Sequence, residues 1–269
     1  MSTRFASLDA ALRKLRGRAG LVIADDAGHE LFARDADAIY PAASVIKLPI
    51  LMTLYAEAAA GRLSLDERLA CGEIVEGSGV LRHLSGVRDL TLRDHAALMI
   101  IVSDNTATNR LIERIGIARV NERLQEWDCL ATCLGTRLFD RDAIARGARN
   151  VMTPRETASL LLRLVRGELV DRPTSDAVLE LLSHATNGGR LRRHLPYDAW
   201  VAHKPGTILG VRNDVGILRV DRSVVAVGFV ADLADEAEGD VVLGLLGWSA
   251  YRLAGGAGSD RPPAAALGV

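Results

Sequence analysis

The apolar patterning of the chain predicts an α/β protein of the α+β kind: one antiparallel sheet built from both chain ends, flanked by helices, with a helical insert between them. Three observations carry this. A hairpin pattern stands near the start, around residues 21–33. From residue 43 to about 190 the signals are mainly helical. After Pro196 three strand-like runs follow one another and lead into an apolar helix. Residues 1–42 plus 196–254 are therefore expected to form a sheet subdomain, and residues 43–195 an all-helical one, with a cleft between the two.

Taken in order, Phe5, Leu8, Leu12 and Leu15 recur at helical spacing and predict a short amphipathic helix. Leu21–Ala24 is an apolar run, Asp25-Asp26-Ala27-Gly28 is turn chemistry, and residues 29–33 resume an extended pattern. The stretch Tyr40–Gly61, YPAASVIKLPILMTLYAEAAAG, is apolar on almost every side and reads as a buried central helix. Pro49 removes a donor there and predicts a kink against the carbonyl of Val45. Gly61 suits the position just past the helix end. Residues 62–90 read as irregular, with EGSGVL at 76–81 a tight loop at the cleft rim.

Thr91 with Asp94 resembles a capping box for an apolar helix that stops at Ser103-Asp104-Asn105. Asn105 is the expected N-cap of the next helix, which runs to Gly116. Thr153-Pro154-Arg155-Glu156 starts another, with Thr at the cap and Pro at the first helical position, and it runs to Gly167. A further helix is expected from about Ser175 to Ala185, ending in Asn187-Gly188-Gly189. Residues 199–204, 214–220 and 223–231 read as strands, Asp221-Arg222 as the turn joining the last two, and Val241–Leu253 as a helix. Residues 255–269 are expected to be a disordered tail.

The bulk composition excludes several roles. With 269 residues the chain has ample core, and 49% hydrophobic with 25% charged residues is ordinary for a soluble globular protein. A net charge of -1 leaves no basic excess for nucleic acid, and 4% aromatics are too few for a base-stacking platform. No run of about twenty apolar residues exists to cross a membrane, and the first twenty residues lack the apolar core of a secretory signal. Cys71, Cys129 and Cys133 form an odd set without metal-ligand spacing, so reduced cysteines are expected and neither a metal nor a cofactor. The expectation is a cytoplasmic monomer acting on a small molecule, with no nucleic-acid or membrane partner.

Chemistry concentrates at Ser44 and Lys47, three apart and so on one face of a helix, at the mouth of a core. Taken alone, S-x-x-K arises by chance about once in a chain of this size. The lysine census lifts it. Of 33 basic residues only Lys14, Lys47 and Lys204 are lysine; the rest are arginine. Arginine does not give up its proton, whereas a buried lysine can act as a base.

Three signatures then stand in one order: Ser44-Val45-Ile46-Lys47, Ser103-Asp104-Asn105, and Lys204-Pro205-Gly206. The sequence resembles the class A β-lactamase and penicillin-binding-protein superfamily, whose motif set is S-x-x-K, S-D-N and K-T-G. EGSGVLRH and VSDNTATN also resemble that family's cleft-lining segments. The resemblance implies a serine hydrolase that forms an acyl-Ser44 intermediate on a β-lactam, amide or ester. Lys47 would be the neutral base that activates Ser44. Ser103 would relay a proton to the leaving group, Asn105 would hold the substrate amide, and Asp104 would turn inward to fix its loop. Lys204 and Thr207, with Arg212 behind them, would attract a substrate carboxylate. Gly206 would allow close backbone approach, and the N–H groups of Ser44 and Thr207 would form the oxyanion hole.

Two departures from the pattern carry expectations of their own. Pro205 replaces the usual Thr or Ser of the third motif, which requires this strand to be a sheet edge. The segment TRLFDRDAIARGARNVMTPRE has no counterpart of the family's water-activating Glu before Glu156, which belongs to a helix cap. Asp140 and Asp142 are the carboxylates nearest in sequence, and neither is expected to take that role. Alternatives to efficient β-lactam hydrolysis are therefore a peptidase-like or esterase activity, or an acyl trap with little turnover.

Overall fold

The computed structural model describes residues 3–186, 189–259 and 262. After a 3-10 turn, α1 (Ala6–Lys14) leads into a hairpin of β1 (Arg18–Asp25) and β2 (Glu30–Arg34), and then the short β3 (Tyr40–Pro41). A second 3-10 turn, Ala43–Ile46, runs directly into α2 (Lys47–Ala59). The insert continues with β4 (Arg68–Ala70), β5 (Asp89–Thr91), α3 (Leu92–Ile101), α4 (Asn105–Ile115), α5 (Ile117–Glu126), α6 (Arg141–Ala145) and β6 (Val151–Met152). Two longer helices, α7 (Pro154–Arg166) and α8 (Arg172–Ser183), precede the strands β7 (Trp200–Ile208), β8 (Val211–Arg219) and β9 (Ser223–Ala231), and α9 (Glu236–Leu253) follows them.

The main sheet has the order β2-β1-β9-β8-β7, antiparallel throughout, so both chain ends do complete one sheet. Its central strands are covered on both faces, which is why β1 and β9 read as nearly continuous apolar runs. One face carries Leu21, Ile23, Ala226 and Val230 against Leu8 and Leu12 of α1 and Leu243 and Leu246 of α9. The other carries Val22, Val225, Val227 and Phe229 into a core shared with Leu48, Leu51 and Met52 of α2 and Leu160 and Leu161 of α7. Every residue from Lys47 to Glu57 is buried, so α2 is the axis of the insert. Each fully buried large aliphatic side chain contributes about 1.5–3 kcal/mol, enough to hold one polar lysine at its end. Among the described residues no helix is long and apolar enough to cross a membrane.

Several boundaries differ from the sequence reading. Pro49 lies in the first turn of α2 rather than its interior, so its missing N–H is one the helix does not use and the kink is not required. Residues 62–90 are not wholly irregular, since β4 and β5 pair there. Asp104, not Asn105, is the N-cap of α4, its carboxylate accepting from Ala107 N. The helix expected from Ser175 starts at Arg172 behind an Asp171 cap, and the one expected from Val241 starts at Glu236 behind Asp235. Helix α5 was missed, because Gly116 reads as a stop although here it only turns the chain between two helices. Part of the expected tail is ordered: Trp248 Nε1 donates to Ser259 O. Asn187 and Gly188, like residues 260, 261 and 263–269, lie outside the described residues.

Candidate active site

The site forms where the 3-10 turn, the junction of α3 and α4, and the sheet edge β7 meet. Residues i and i+3 eclipse in a 3-10 turn, which sets Lys47 Nζ 3.2 Å from Ser44 Oγ. Ser44 is half-buried and reachable, while Lys47 is fully buried. Around Lys47 Nζ stand Ser103 O at 2.8 Å, Asn105 Oδ1 at 2.8 Å and Ser103 Oγ at 2.9 Å. An ammonium has three N–H groups for these four neighbours. A neutral amine has two, which the two carbonyl oxygens take, and a lone pair left to accept from a hydroxyl. Either form thus satisfies three of the four contacts, and the count fits a neutral amine as well as an ammonium.

Electrostatics favour the neutral form. Lys204, also fully buried, donates to Ser103 Oγ at 3.1 Å and to Pro205 O at 3.0 Å. Both lysines touch one hydroxyl, so their nitrogens lie within about 6 Å of each other. Two charges at that distance repel by about 3 kcal/mol at an effective dielectric near 20. Burial, and then the neighbouring Lys204, hold Lys47 well below the ordinary lysine range, against a smaller upward pull from Asp104. Burial lowers Lys204 to about 7, with Asp214 opposing it.

The backbone around both serines is held in place. Ser103 sits at φ 56° and Ala43, just before Ser44, at φ 46°, positions that cost about 1–3 kcal/mol each and persist only where the surroundings impose them. Asp104 imposes the first: its carboxylate accepts from Val80 N, Leu81 N and Ala107 N. Gly79, at φ 124°, lets the rim loop close on that carboxylate, since an added Cβ would stand 2.2 Å from Asp104 Oδ2. Asn105, its Oδ1 on Lys47, gives its Nδ2 to Glu76 O of the same loop.

On the other side β7 is the edge strand, as Pro205 requires, and its backbone presses on the nucleophile turn. A Cβ on Gly206 would lie 3.2 Å from both Ala42 O and Ser44 N. Asn213 of β8, fully buried, donates to Pro41 O and Ala42 O and so ties the sheet to the residues before Ser44. Thr207 is exposed at the strand end, and its Oγ1 accepts from Arg190 Nη2 at 3.0 Å. Arg212, paired with Thr207 in register, is turned to α9, ion-paired with Glu236 and donating to Val211 O. The structure thus brings Ser44, Lys47, Ser103, Asn105, Lys204, Gly206 and Thr207 together, and sets Arg190 closer to Thr207's hydroxyl than Arg212. Arg190 and Asn213 were missed by the sequence reading. Asn213 stood just outside the strand read at 214–220, whose true start is Val211, so its place in the sheet gave no signal; Arg190, among many arginines, gave none either.

The carboxylates of the following segment are engaged elsewhere or exposed to solvent. Asp140 caps α6 through Ala143 N and stands 3.6 Å from Arg137, and Asp142 is exposed. Glu156 accepts from Ala131 N, Thr132 N and Thr132 Oγ1. Among the described residues no carboxylate hydrogen-bonds to Ser44, Lys47 or Ser103.

A split antiparallel sheet around a helical insert, with paired serines and lysines at its edge, defines the β-lactamase and penicillin-binding-protein class of serine hydrolases. The model of the beta-lactamase enzyme family matches residues 4–253, and the chain belongs to that family. It is 27% identical to beta-lactamase L2 of Stenotrophomonas maltophilia over 230 residues, covering 81% of this chain and 72% of that one. The crystal structure of a beta-lactamase from Sphaerobacter thermophilus is similar with a TM-score of 0.85 and 29% identity, over 93% of this chain and 97% of that one. A mutant of PBP-A, solved as an acyl-enzyme complex with penicillin G, is similar with a TM-score of 0.82 and 28% identity, over 93% and 95%.

Proposed function

We propose that the chain is a serine hydrolase that opens β-lactams and related reactive amides or esters through acyl-Ser44, with slow release of the acyl group. The observation that carries this is Lys47 Nζ, within hydrogen-bond reach of Ser44 Oγ and Ser103 Oγ while Lys204 stands on the far side of Ser103. Ser44 Oγ attacks the carbonyl carbon and its proton passes to the neutral Lys47. The developing oxyanion sits between Ser44 N and the N–H of Thr207, a reading supported by the close approach of Gly206 to Ser44. As the carbon–nitrogen bond breaks, Ser103 Oγ gives its proton to the leaving nitrogen and takes one from the Lys47 ammonium. The products of this half-reaction are acyl-Ser44 and neutral Lys47.

Asn105 orients the substrate amide, and Lys204 with the Thr207–Arg190 pair receives a carboxylate. The second half-reaction adds water to the acyl group, and here no carboxylate is placed to activate it. That supports slow turnover; the penicillin G acyl-enzyme of the similar PBP-A mutant supports the acyl-serine half of the reading alone. Ser44→Ala tests the reading: wild-type protein mixed with a β-lactam gains the mass of the acyl group, and the variant gains none. Labelling that survives in Ser44→Ala would overturn the assignment of the nucleophile.

A further inference from the structure

Behind Lys204, on the face of the sheet covered by α9, lies a second buried ionisable pair. His203 and Asp214 are 1% and 0% exposed at their side chains, and His203 Nδ1 is 2.9 Å from Asp214 Oδ1. The other carboxylate oxygen, Oδ2, accepts from Leu191 N at 3.0 Å. His203 Nε2 is buried without a hydrogen-bond partner. A protonated Nε2 would leave a charged donor unsatisfied in the interior, whereas a neutral ring that donates from Nδ1 leaves only a lone pair. Both oxygens of Asp214 then act as acceptors, as those of a carboxylate do, and the pair as a whole carries one negative charge.

Asp214 faces Pro205 in register, the residue next to Lys204. Two of the arginines near it are already matched. Arg212 pairs with Glu236, and Arg190 with Asp240. On the segment before β7, Arg192 donates to Tyr197 O, Arg193 and His194 lie against Gly244 of α9, and on the cleft side Asp104 is held by three backbone N–H groups.

We propose that Asp214, kept charged by a neutral His203, is a positioning residue that holds the proton on Lys204 and thereby keeps Lys47 free of one. The inference rests on the reading of Lys47 as base. Its logic runs through the sheet: a negative charge behind Lys204 favours its ammonium, and that ammonium, within about 6 Å of Lys47 Nζ, disfavours a second one. Burial alone would neutralise either lysine. The pair decides which lysine is neutral.

Only three lysines occur in the chain, and Lys14 is exposed, so a protein labelled with 13C at lysine Cε yields three resonances that titrate separately. In Asp214→Asn the midpoint of Lys204 is expected to fall, by less than the roughly one to three pH units usual for the loss of a charge in direct contact, while that of Lys47 rises. His203→Gln, which keeps an N–H donor toward Asp214, is expected to leave both midpoints near wild type. His203→Leu removes that donor and is expected to move them in the direction of Asp214→Asn, by less. This variant also serves if Asp214→Asn does not fold. The acylation profile should narrow from both sides in the same variants. Midpoints that stay at their wild-type values in folded Asp214→Asn, or in folded His203→Leu, would overturn the proposal. The titration reads protonation without turnover, so its outcome is separate from whether the chain hydrolyses β-lactams.

Discussion

At Lys47 the choice of lysine over arginine is chemical. A guanidinium keeps its proton, so Lys47→Arg is expected to lose nearly all acylation although its charge is retained, read as the rate of mass gain with a β-lactam. The pH dependence has a definite sign. Lys47 titrates well below the usual lysine range because it is buried beside Lys204. Acylation should therefore be full above that lowered midpoint and fall as pH drops through it, with the protein still folded. At the upper end, Lys204 loses its proton as pH rises through about 7, and affinity for carboxylate-bearing substrates should decline there while that for neutral esters does not. Ser103→Ala removes the hydroxyl shared by both lysines and should slow acylation by about a hundredfold or more.

At the scale of elements, the proposed slow turnover rests on the segment from Leu134 to Glu156. Its carboxylates serve structure: Asp140 caps α6, and Glu156 holds the backbone at Ala131 and Thr132. Asp140→Asn and Asp142→Asn should each leave deacylation of acyl-Ser44 within about a few-fold of wild type, against the hundredfold or more that a general base supplies. A single-turnover measurement separates the two. The same elements show what could be read from sequence. Thr91 and Thr153 announced their helices because a cap is a local device, and the three motifs located Ser44, Lys47, Ser103 and Lys204 because each is a short pattern. Asp104 as cap, the rim loop whose backbone at Val80 and Leu81 closes on its carboxylate, and the Asn213 clip were not legible in the same way. They depend on which distant backbone groups meet a side chain, and spacing along the chain does not carry that. Arg190 escaped for a related reason, since its meaning lies in contacts with Thr207 and Asp240.

For the molecule as a whole, the insert is tied together by charge as well as by the core around α2. Glu57, nearly buried at the end of α2, pairs with Arg62, Arg119 and Arg123. Hydrogen bonds from Arg62 first, then Arg119 and Arg123, lower its carboxyl from 4.5 to about 2. The folded value lies below the unfolded one, so this stabilisation is present above about 4.5 and is lost as pH falls through about 2. Glu57→Gln should cost on the order of 2–3 kcal/mol near neutral pH, with the difference from wild type shrinking in acid, as read by denaturant unfolding at several pH values. The site stands between this insert and the sheet edge, and its chemistry depends on both holding Lys47 and Lys204 on one hydroxyl. The most direct test of the central claim is intact mass followed over time after a β-lactam is added in slight excess. The account predicts rapid gain of one acyl group on Ser44 and a slow return to the starting mass. Consumption of the β-lactam with no acylated species, even at the earliest times and in acid quench, would contradict it.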